Sequence, residues 1–281
     1  MKQFKEKVAV ITGAASGIGR CLVLNLAAEG CHLAISDINA EELQETMAMV
    51  ENKSIQITSC VVDVADRQQV FGFADQVMAD HKRVDLVINN AGTAMFGSLA
   101  EVSLDEFEWL MGINFWGVVY GSMAFLPHLQ SRPEANLVNI SSVHGLFTNP
   151  GCGPYCSSKF AVSGFTQTLC QEMKDSSVTV SCVHPGGIRT GIVFNRRIAE
   201  KSVEEQTPAE AQEDFDKALG KTSADEAAKI ILRGIKKNKT RILVGRDAYI
   251  YDFLARFVPA TWQKIMGRLP DILERLARKE V

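Results

Sequence analysis

The sequence predicts an α/β fold, a doubly wound parallel sheet of about seven strands with helices on both faces and a helical extension at the C-terminus. Three observations carry this. Short runs rich in Val, Ile and Leu recur at 7–11, 31–36, 55–62, 84–88, 136–140, 178–183 and 240–244, each of strand length. Between them lie segments with apolar residues at helical spacing, such as Ile18, Leu22 and Leu26, or Val70, Phe73, Ala74 and Val77. The runs are apolar on both sides of the strand, which suits the interior of a sheet covered on both faces.

The elements follow in order with no internal repeat and no linker that would divide them, so residues 1–246 read as one catalytic domain. The connection over 186–222 opens on Gly186-Gly187 and runs into an acid-rich stretch from Glu200 to Asp216. It is longer than an ordinary connection, which makes 188–218 either a substrate lid or a flexible insertion. Residues 247–281 form a separate amphipathic extension. In it Ile250, Phe253, Leu254, Phe257, Val258, Trp262, Ile265, Met266 and Leu269 recur at three- and four-residue steps on one helical face, which Pro259 should break or kink.

Composition excludes several classes. The 281 residues are 46% hydrophobic and 22% charged, the balance of a folded globular protein rather than a disordered or fibrous one. Thirty basic against 33 acidic residues give a net charge of −3, which supplies no excess of cations to neutralise nucleic-acid phosphates. The seven cysteines are scattered and never form C-x-x-C, so they read as reduced core residues of a cytoplasmic protein. No signal-like segment opens the chain, and no uninterrupted apolar run approaches the roughly 18 residues of a membrane span.

Chemistry enters with the first strand-to-helix turn. Gly13, Ser16, Gly17, Ile18 and Gly19 stand where a dinucleotide pyrophosphate would approach the backbone and the helix N-terminus. The spacing G-x-x-x-G-x-G departs from the usual G-x-G-x-x-G, and taken alone the turn could equally be plain punctuation. Asp37 closes the second strand, near the position ~20 residues on where a carboxylate binds ribose hydroxyls, although a solvated turn residue would also suit it. Tyr155 and Lys159 lie at i and i+4 of a helical segment, so both face the same way. An ammonium there would stabilise a phenolate; lowering a tyrosine pKa by ~3 units corresponds to ~4 kcal/mol.

In combination these motifs resemble the short-chain dehydrogenase/reductase family from about Lys7 to Gly245. The matching residues are Thr12 to Gly19, Asp37, Asp63-Val64, Asn89-Asn90-Ala91-Gly92, Asn114, Asn139 to Ser142, Tyr155-x-x-x-Lys159 and His184-Pro185-Gly186-Gly187-Ile188-x-Thr190. The resemblance implies a Rossmann domain and a tetrad of Asn114, Ser142, Tyr155 and Lys159. Tyr155 would be the general acid/base, Ser142 would steady the substrate oxygen, and Lys159 would bind the nicotinamide ribose and depress the Tyr155 pKa. Asn114 would hold a water linking Lys159 to solvent, and Ser141 would be structural. Asp63, Val64, Asn90, Ala91, Gly92, Pro185, Gly186, Ile188 and Thr190 would complete the cofactor surface, with Asp63 alternatively capping the next helix. His144 and His184 would line the pocket or pack, and no metal is implied.

The expected reaction is hydride transfer between a secondary alcohol and a ketone. NAD is favoured over NADP, since Asp37 repels a 2′-phosphate and Ile38 stands where a basic residue would grip one. Val143, Phe147 and Phe194 would join Ser142 and Tyr155 around an apolar substrate of steroid-like, terpenoid or long-chain type. An NADP-preferring carbonyl reductase and a non-catalytic cofactor-binding regulator are the alternatives. A homodimer or homotetramer is expected, and membrane-surface contact through the tail ranks below protein packing.

Overall fold

The computed structural model describes residues 1–202, 207–259 and 261. Seven strands form one parallel sheet: β1 Val8–Thr12, β2 His32–Asp37, β3 Ile57–Val61, β4 Leu86–Asn89, β5 Ala135–Ile140, β6 Val178–Pro185 and β7 Arg241–Val244. Each predicted apolar run overlaps one of them, with ends that differ by at most two residues. Their order across the sheet is β7-β6-β5-β4-β1-β2-β3, so the winding reverses between β1 and β4. In open α/β sheets ligands bind in the crevice at such a reversal, beyond the carboxyl ends of the strands.

Alternation along the strands builds two cores. Ala9, Ile11, Leu33, Ile35 and Ile88 point to one face, where Leu22 and Leu26 of helix α1 (Gly17–Ala28) and Ile231 of α8 (Ala224–Lys236) meet them. Val10, Ala34, Val87 and Leu137 point to the other. There they meet Val70, Phe73 and Val77 of α3 (Arg67–His81), Phe125 of α5 (Gly117–Gln130) and Leu169 of α6 (Gly153–Glu172). The successive strand residues therefore serve opposite faces, as period-2 geometry requires. The helical run Leu104–Gln130 joins α4 (Leu104–Met111), a π-helical turn (Gly112–Trp116) and α5. It is long and apolar enough to cross a membrane by length and composition, and here about half of its apolar window is buried within the protein.

At the amino ends of the strands Asp85 is fully buried and completely engaged. It accepts from Val8 N at 3.0 Å, from Arg83 at 2.9 and 2.7 Å, and from Arg132 at 3.1 Å. Burial pushes its carboxyl up, but these partners more than offset that and hold it below the usual range.

The connection over 188–218 is not uniform. Ile188–Arg189 pairs with Thr222–Ser223, and Arg197–Ile198 pairs with Met95–Phe96. The Arg197 guanidinium lies 5.0 Å from the Trp109 ring centroid, Glu200 N donates to Glu106, and Ser202 donates to Glu101. Its second part, α7 (Pro208–Ala218), is capped by Thr207 and Glu210 but buries no residue. The first part is thus fastened to the domain, and α7 has the sparse packing expected of the whole segment.

The extension begins with α9 (Arg246–Phe257), which ends just ahead of Pro259 as expected of a residue that cannot continue a helix. The single apolar face expected of it is divided. Ala248, Tyr251, Leu254 and Val258 pack on Val143, Phe147 and Leu243, whereas Ile250, Phe253 and Phe257 remain exposed. Trp262, Ile265, Met266 and Leu269 lie outside the described residues.

Candidate active site

The loop after β1 turns back on itself because glycine occupies its strained positions. Gly13 and Gly17 have φ of +66° and +53°, a region open to glycine at little cost. A Cβ on Gly19 would stand 1.9 Å from the Gly13 carbonyl oxygen, so α1 can approach the turn only with glycine there. Asp37 Oδ2 accepts from Ala15 N at 2.9 Å and Oδ1 from Asn39 N at 3.0 Å, which sets the carboxylate beside the same turn. Thr190 closes the cradle from the other bank; a Cβ on Gly17 would reach its side chain at 3.4 Å.

The loop after β4 braces this turn. Asn90 Nδ2 donates to the carbonyls of Thr12 (3.0 Å) and Gly13 (2.9 Å), while Asn90 N and Ala91 N donate to Thr12 Oγ1, both at 3.1 Å. The Asn90 side chain is therefore committed to shaping the glycine turn. Asn89 lies beneath, donating to Asn139 Oδ1 (2.8 Å) and Ser122 Oγ (3.1 Å), and Asn139 in turn donates to Thr166 (3.0 Å). That buried chain ties α5 and α6 to the sheet. Asp63 accepts from Ala65 N, and the cap of α3 is Asp66, accepting from Gln68 and Gln69, so the alternative role for Asp63 falls to its neighbour.

The reactive groups meet at the carboxyl ends of β5 and β6. Ser142 caps a short 3-10 turn (Val143–Gly145), accepting from His144 N at 3.1 Å, and its side chain lies near the Tyr155 hydroxyl. Tyr155 and Lys159 face the crevice from the first two turns of α6, where Pro154 and glycine start the helix. Lys159 is buried; its Nζ donates to the Ile140 carbonyl at 3.2 Å and lies 5.7 Å from the Tyr155 ring centroid. A Cβ on Gly92 would come within 3.4 Å of that Nζ and 3.1 Å of Asn114 Oδ1. Asn114 sits in the π-helical turn, fully buried, with its amide exchanged with Thr93 N and O (both 2.9 Å) and donated to Ser158 Oγ (3.2 Å). The four tetrad positions thus share one site, with Ser141 beneath it donating to the Lys159 carbonyl at 2.9 Å.

The electrostatics correct one expectation. Where Lys159 was expected to bring the Tyr155 hydroxyl down, burial pushes it up to about 12, against the opposing effect of nearby Ser142. Burial also brings Lys159 down to about 8. Desolvation disfavours the charged form of both groups, and Nζ is turned to a backbone oxygen rather than to the phenol. His144 and His184 are each brought down to about 4, chiefly by burial, and are neutral at pH 7. His184 Nδ1 meets the Ser142 carbonyl at 3.0 Å, and the His144 ring stands edge-on to Tyr155 with centroids 5.7 Å apart.

The substrate-facing residues separate. Val143 and Phe147 are buried beside the site, Phe147 between His144 and Tyr251. Phe194 is half-exposed and faces α7, with its N–H donating to Gln212. Ile188 lies in the core, so its side chain serves packing. Asp247, absent from the sequence-predicted set, accepts from Gly187 N at 2.6 Å. No run or motif marks it; only the fold brings it there from sixty residues away.

Such a cradle, with a carboxylate at the end of β2 and a Tyr, Lys and Ser beyond β5, suits a dinucleotide with a reactive ring at its far end. Residues 7–201 match the short chain dehydrogenase family. SadH of Mycobacterium tuberculosis, named as an oxidoreductase, is 42% identical over 95% of this chain and 96% of its own. The 3-oxoacyl-[acyl-carrier-protein] reductase FabG of Thermotoga maritima is 32% identical over 72% of this chain and 81% of its own. A short chain dehydrogenase/reductase from Burkholderia phymatum, solved in complex with NAD, superposes with a TM-score of 0.79 at 29% identity, covering 98% and 97% of the two chains. The chain belongs to the short-chain dehydrogenase family: it is an oxidoreductase with a nicotinamide-binding Rossmann domain and a small-molecule substrate.

Proposed function

We propose that the protein is an NAD-dependent enzyme interconverting a secondary alcohol and a ketone on a largely apolar substrate, with Tyr155 as general acid/base. The observation that carries this reading is Tyr155 with Ser142 near its hydroxyl and the buried Lys159 ammonium 5.7 Å from its ring centroid. Gly13 to Gly19 and Thr190 would hold the pyrophosphate, Asp37 the adenine-side ribose, and Lys159 the nicotinamide ribose. Asp63, Val64 and Ala91 would line the adenine side, and Pro185 and Gly186 the nicotinamide end. When bound, the nicotinamide supplies or accepts the hydride.

The chain's own residues handle the proton. In the reductive direction Tyr155 Oη gives its proton to the carbonyl oxygen while Ser142 Oγ holds that oxygen in place. A hydroxyl pushed up to about 12 is protonated at pH 7, which suits this direction. In the oxidative direction Tyr155 must first lose the proton, so oxidation speeds up as pH rises. Binding a ribose at Lys159 would draw its ammonium away from the Ile140 carbonyl, and Asn114 fixes the strand-to-helix loop behind it.

NAD is preferred over NADP because the Asp37 carboxylate opposes a 2′-phosphate and Ile38, exposed beside it, offers no cation. The apolar substrate is supported by Val143 and Phe147 at the site, and FabG and levodione reductase, a neighbour in the fold, are reductases by name. The free cysteines suit a cytoplasmic enzyme, acting as a homodimer or homotetramer. The test is a screen of secondary alcohols and ketones with NAD(H) and NADP(H), followed through reduced-nicotinamide absorbance. Turnover with NAD, lost about 10²–10⁴-fold in Tyr155→Phe with NADH still bound, is the expected result. Equal affinity for both cofactors, or an active Tyr155→Phe, overturns the reading.

A further inference from the structure

Both amides of the double glycine after β6 are tied to the last part of the chain. Gly186 N donates to the Val244 carbonyl at 2.9 Å, and Gly187 N donates to Asp247 Oδ2 at 2.6 Å. The carboxylate lies flat against the turn: a Cβ on Gly186 would stand 2.2 Å from Oδ2, and one on Gly245 would stand 2.5 Å from Oδ1. Gly245 itself has φ of +95°, a conformation that turns the chain from β7 into α9 and delivers Asp247 in the first helical turn. Glycine at 186 and 245 is therefore what allows the carboxylate to reach Gly187.

The helix that carries Asp247 is itself anchored on the opposite bank. Ala248 is buried, and Tyr251, one turn on from Asp247, stacks on Phe147 with centroids 4.2 Å apart and planes at 21°. Phe147 meets His144 at 4.9 Å, and His144 meets Tyr155 at 5.7 Å. Asp252 pairs with Arg241 of β7 and, at 2.9 Å, with Arg256. One helix thus contacts both the turn after β6 and the segment after Ser142, and it lies beyond the residues matched by the family.

We propose that Asp247 is a positioning residue, which fixes the Pro185–Gly187 turn so that the nicotinamide end of the bound cofactor meets Tyr155 at the right height. This rests on the reading given above, in which that turn borders the nicotinamide. A hydrogen bond from a backbone amide to a carboxylate is of the charge-assisted, shorter kind, and it restrains a glycine pair that would otherwise sample many backbone conformations. Asp247 touches neither substrate nor cofactor in this account; it acts through Gly187.

The test compares Asp247→Ala with Asp247→Asn, whose amide oxygen can still accept from Gly187 N. Hydrogen exchange is first measured in the cofactor-free protein. Asp247→Ala should speed exchange at least about tenfold in a peptide spanning 184–190 while the strands β1 and β4 keep their protection, and Asp247→Asn should restore most of it. In the NAD-loaded enzyme Asp247→Ala should lower kcat about tenfold or more with substrate KM nearly unchanged, and Asn should recover most of kcat. If Asp247→Ala does not fold, Asp247→Ser, too short to reach Gly187, replaces it. Wild-type exchange and kcat in Asp247→Ala overturn the proposal, as does an Asn variant as impaired as the Ala one. The exchange result stands without any turnover, so failure of the positioning role is distinguishable from failure of the dehydrogenase reading.

Discussion

Two buried charged side chains at opposite ends of the strands, Asp85 and Lys159, are treated in opposite ways. At the amino edge, Asp85 is enclosed by two arginines and a backbone N–H, and every lone pair facing the protein has a donor. At the carboxyl edge, Lys159 is equally buried but has a lone backbone carbonyl as its hydrogen-bond acceptor among the described residues. His184 Nε2 has none, and Tyr155 is pushed up to about 12. Asp85 converts its burial into stability, although the Asn136 amide and Arg241 Nε at the same ends of their strands have no hydrogen-bond partner among the described residues. Lys159 and Tyr155 keep unfilled capacity at the site, a cost in stability that leaves donors and acceptors for a ligand.

The comparison predicts opposite signs for substitution at the two edges. Asp85→Ala should destabilise by about 3–5 kcal/mol, because two arginines and Val8 N lose their common acceptor, while kcat of the remaining folded enzyme changes little. Denaturant melts and specific activity check this; a change under 1 kcal/mol would dissolve the contrast. Lys159→Met should do the reverse, reducing turnover severely while the cofactor-free protein melts no earlier than wild type, since an incompletely paired buried ammonium is removed. A Lys159→Met protein with a clearly lower Tm would show that the lysine is structural.

Acid should separate the edges in order. A histidine with a folded pKa near 4 and an unfolded value near 6.5 binds more protons unfolded, so its neutral form contributes stability that is full above pH 6.5 and is lost as pH falls toward 4. Between pH 7 and 5 each of His144 and His184 should cost about 1–2 kcal/mol. Asp85 has a lowered pKa, so its contribution is present above the ordinary carboxylate range and is lost only at lower pH. Thermal melts across pH 7 to 5 should therefore fall for wild type and fall less for His144→Phe; parallel curves would remove His144 from this account. The smallest effect concerns the connection over 188–218. Amide exchange should be fast in α7, which buries nothing, and slow at Arg197–Ile198, which is paired with Met95–Phe96. Exchange equally fast at Arg197–Ile198 and in α7 would restore the single mobile lid expected from its composition.

What was legible in the sequence follows from local periodicity and local chemistry. Apolar runs on both sides of a strand require burial on two faces, so the seven strands and their parallel arrangement could be read directly. The glycines at 13, 17 and 19 announce a turn that no side chain would tolerate, and Tyr155 and Lys159 share a helical face wherever the helix lies. Two-residue pairings such as Met95–Phe96 with Arg197–Ile198 have no period to read, and a lid looks uniform until its partners are known.

Tertiary structure decided the rest, because its causes lie in enclosure and in long-range contact. A tyrosine near a lysine was expected to have a lowered pKa, but how deeply both are buried and where Nζ points set the sign, and neither is written in i,i+4 spacing. Asn90 carries a motif position, yet its amide is spent on Thr12 and Gly13 because the winding reversal puts β1 beside β4. The apolar residues of α9 fit one helical stripe in sequence, and the fold divides them because the helix meets Val143 and Phe147 along only part of its surface. Asp247 reaches Gly187 because β7 lies alongside β6 and glycine at 186 and 245 leaves room for its carboxylate, so a residue with no motif becomes a neighbour of the site.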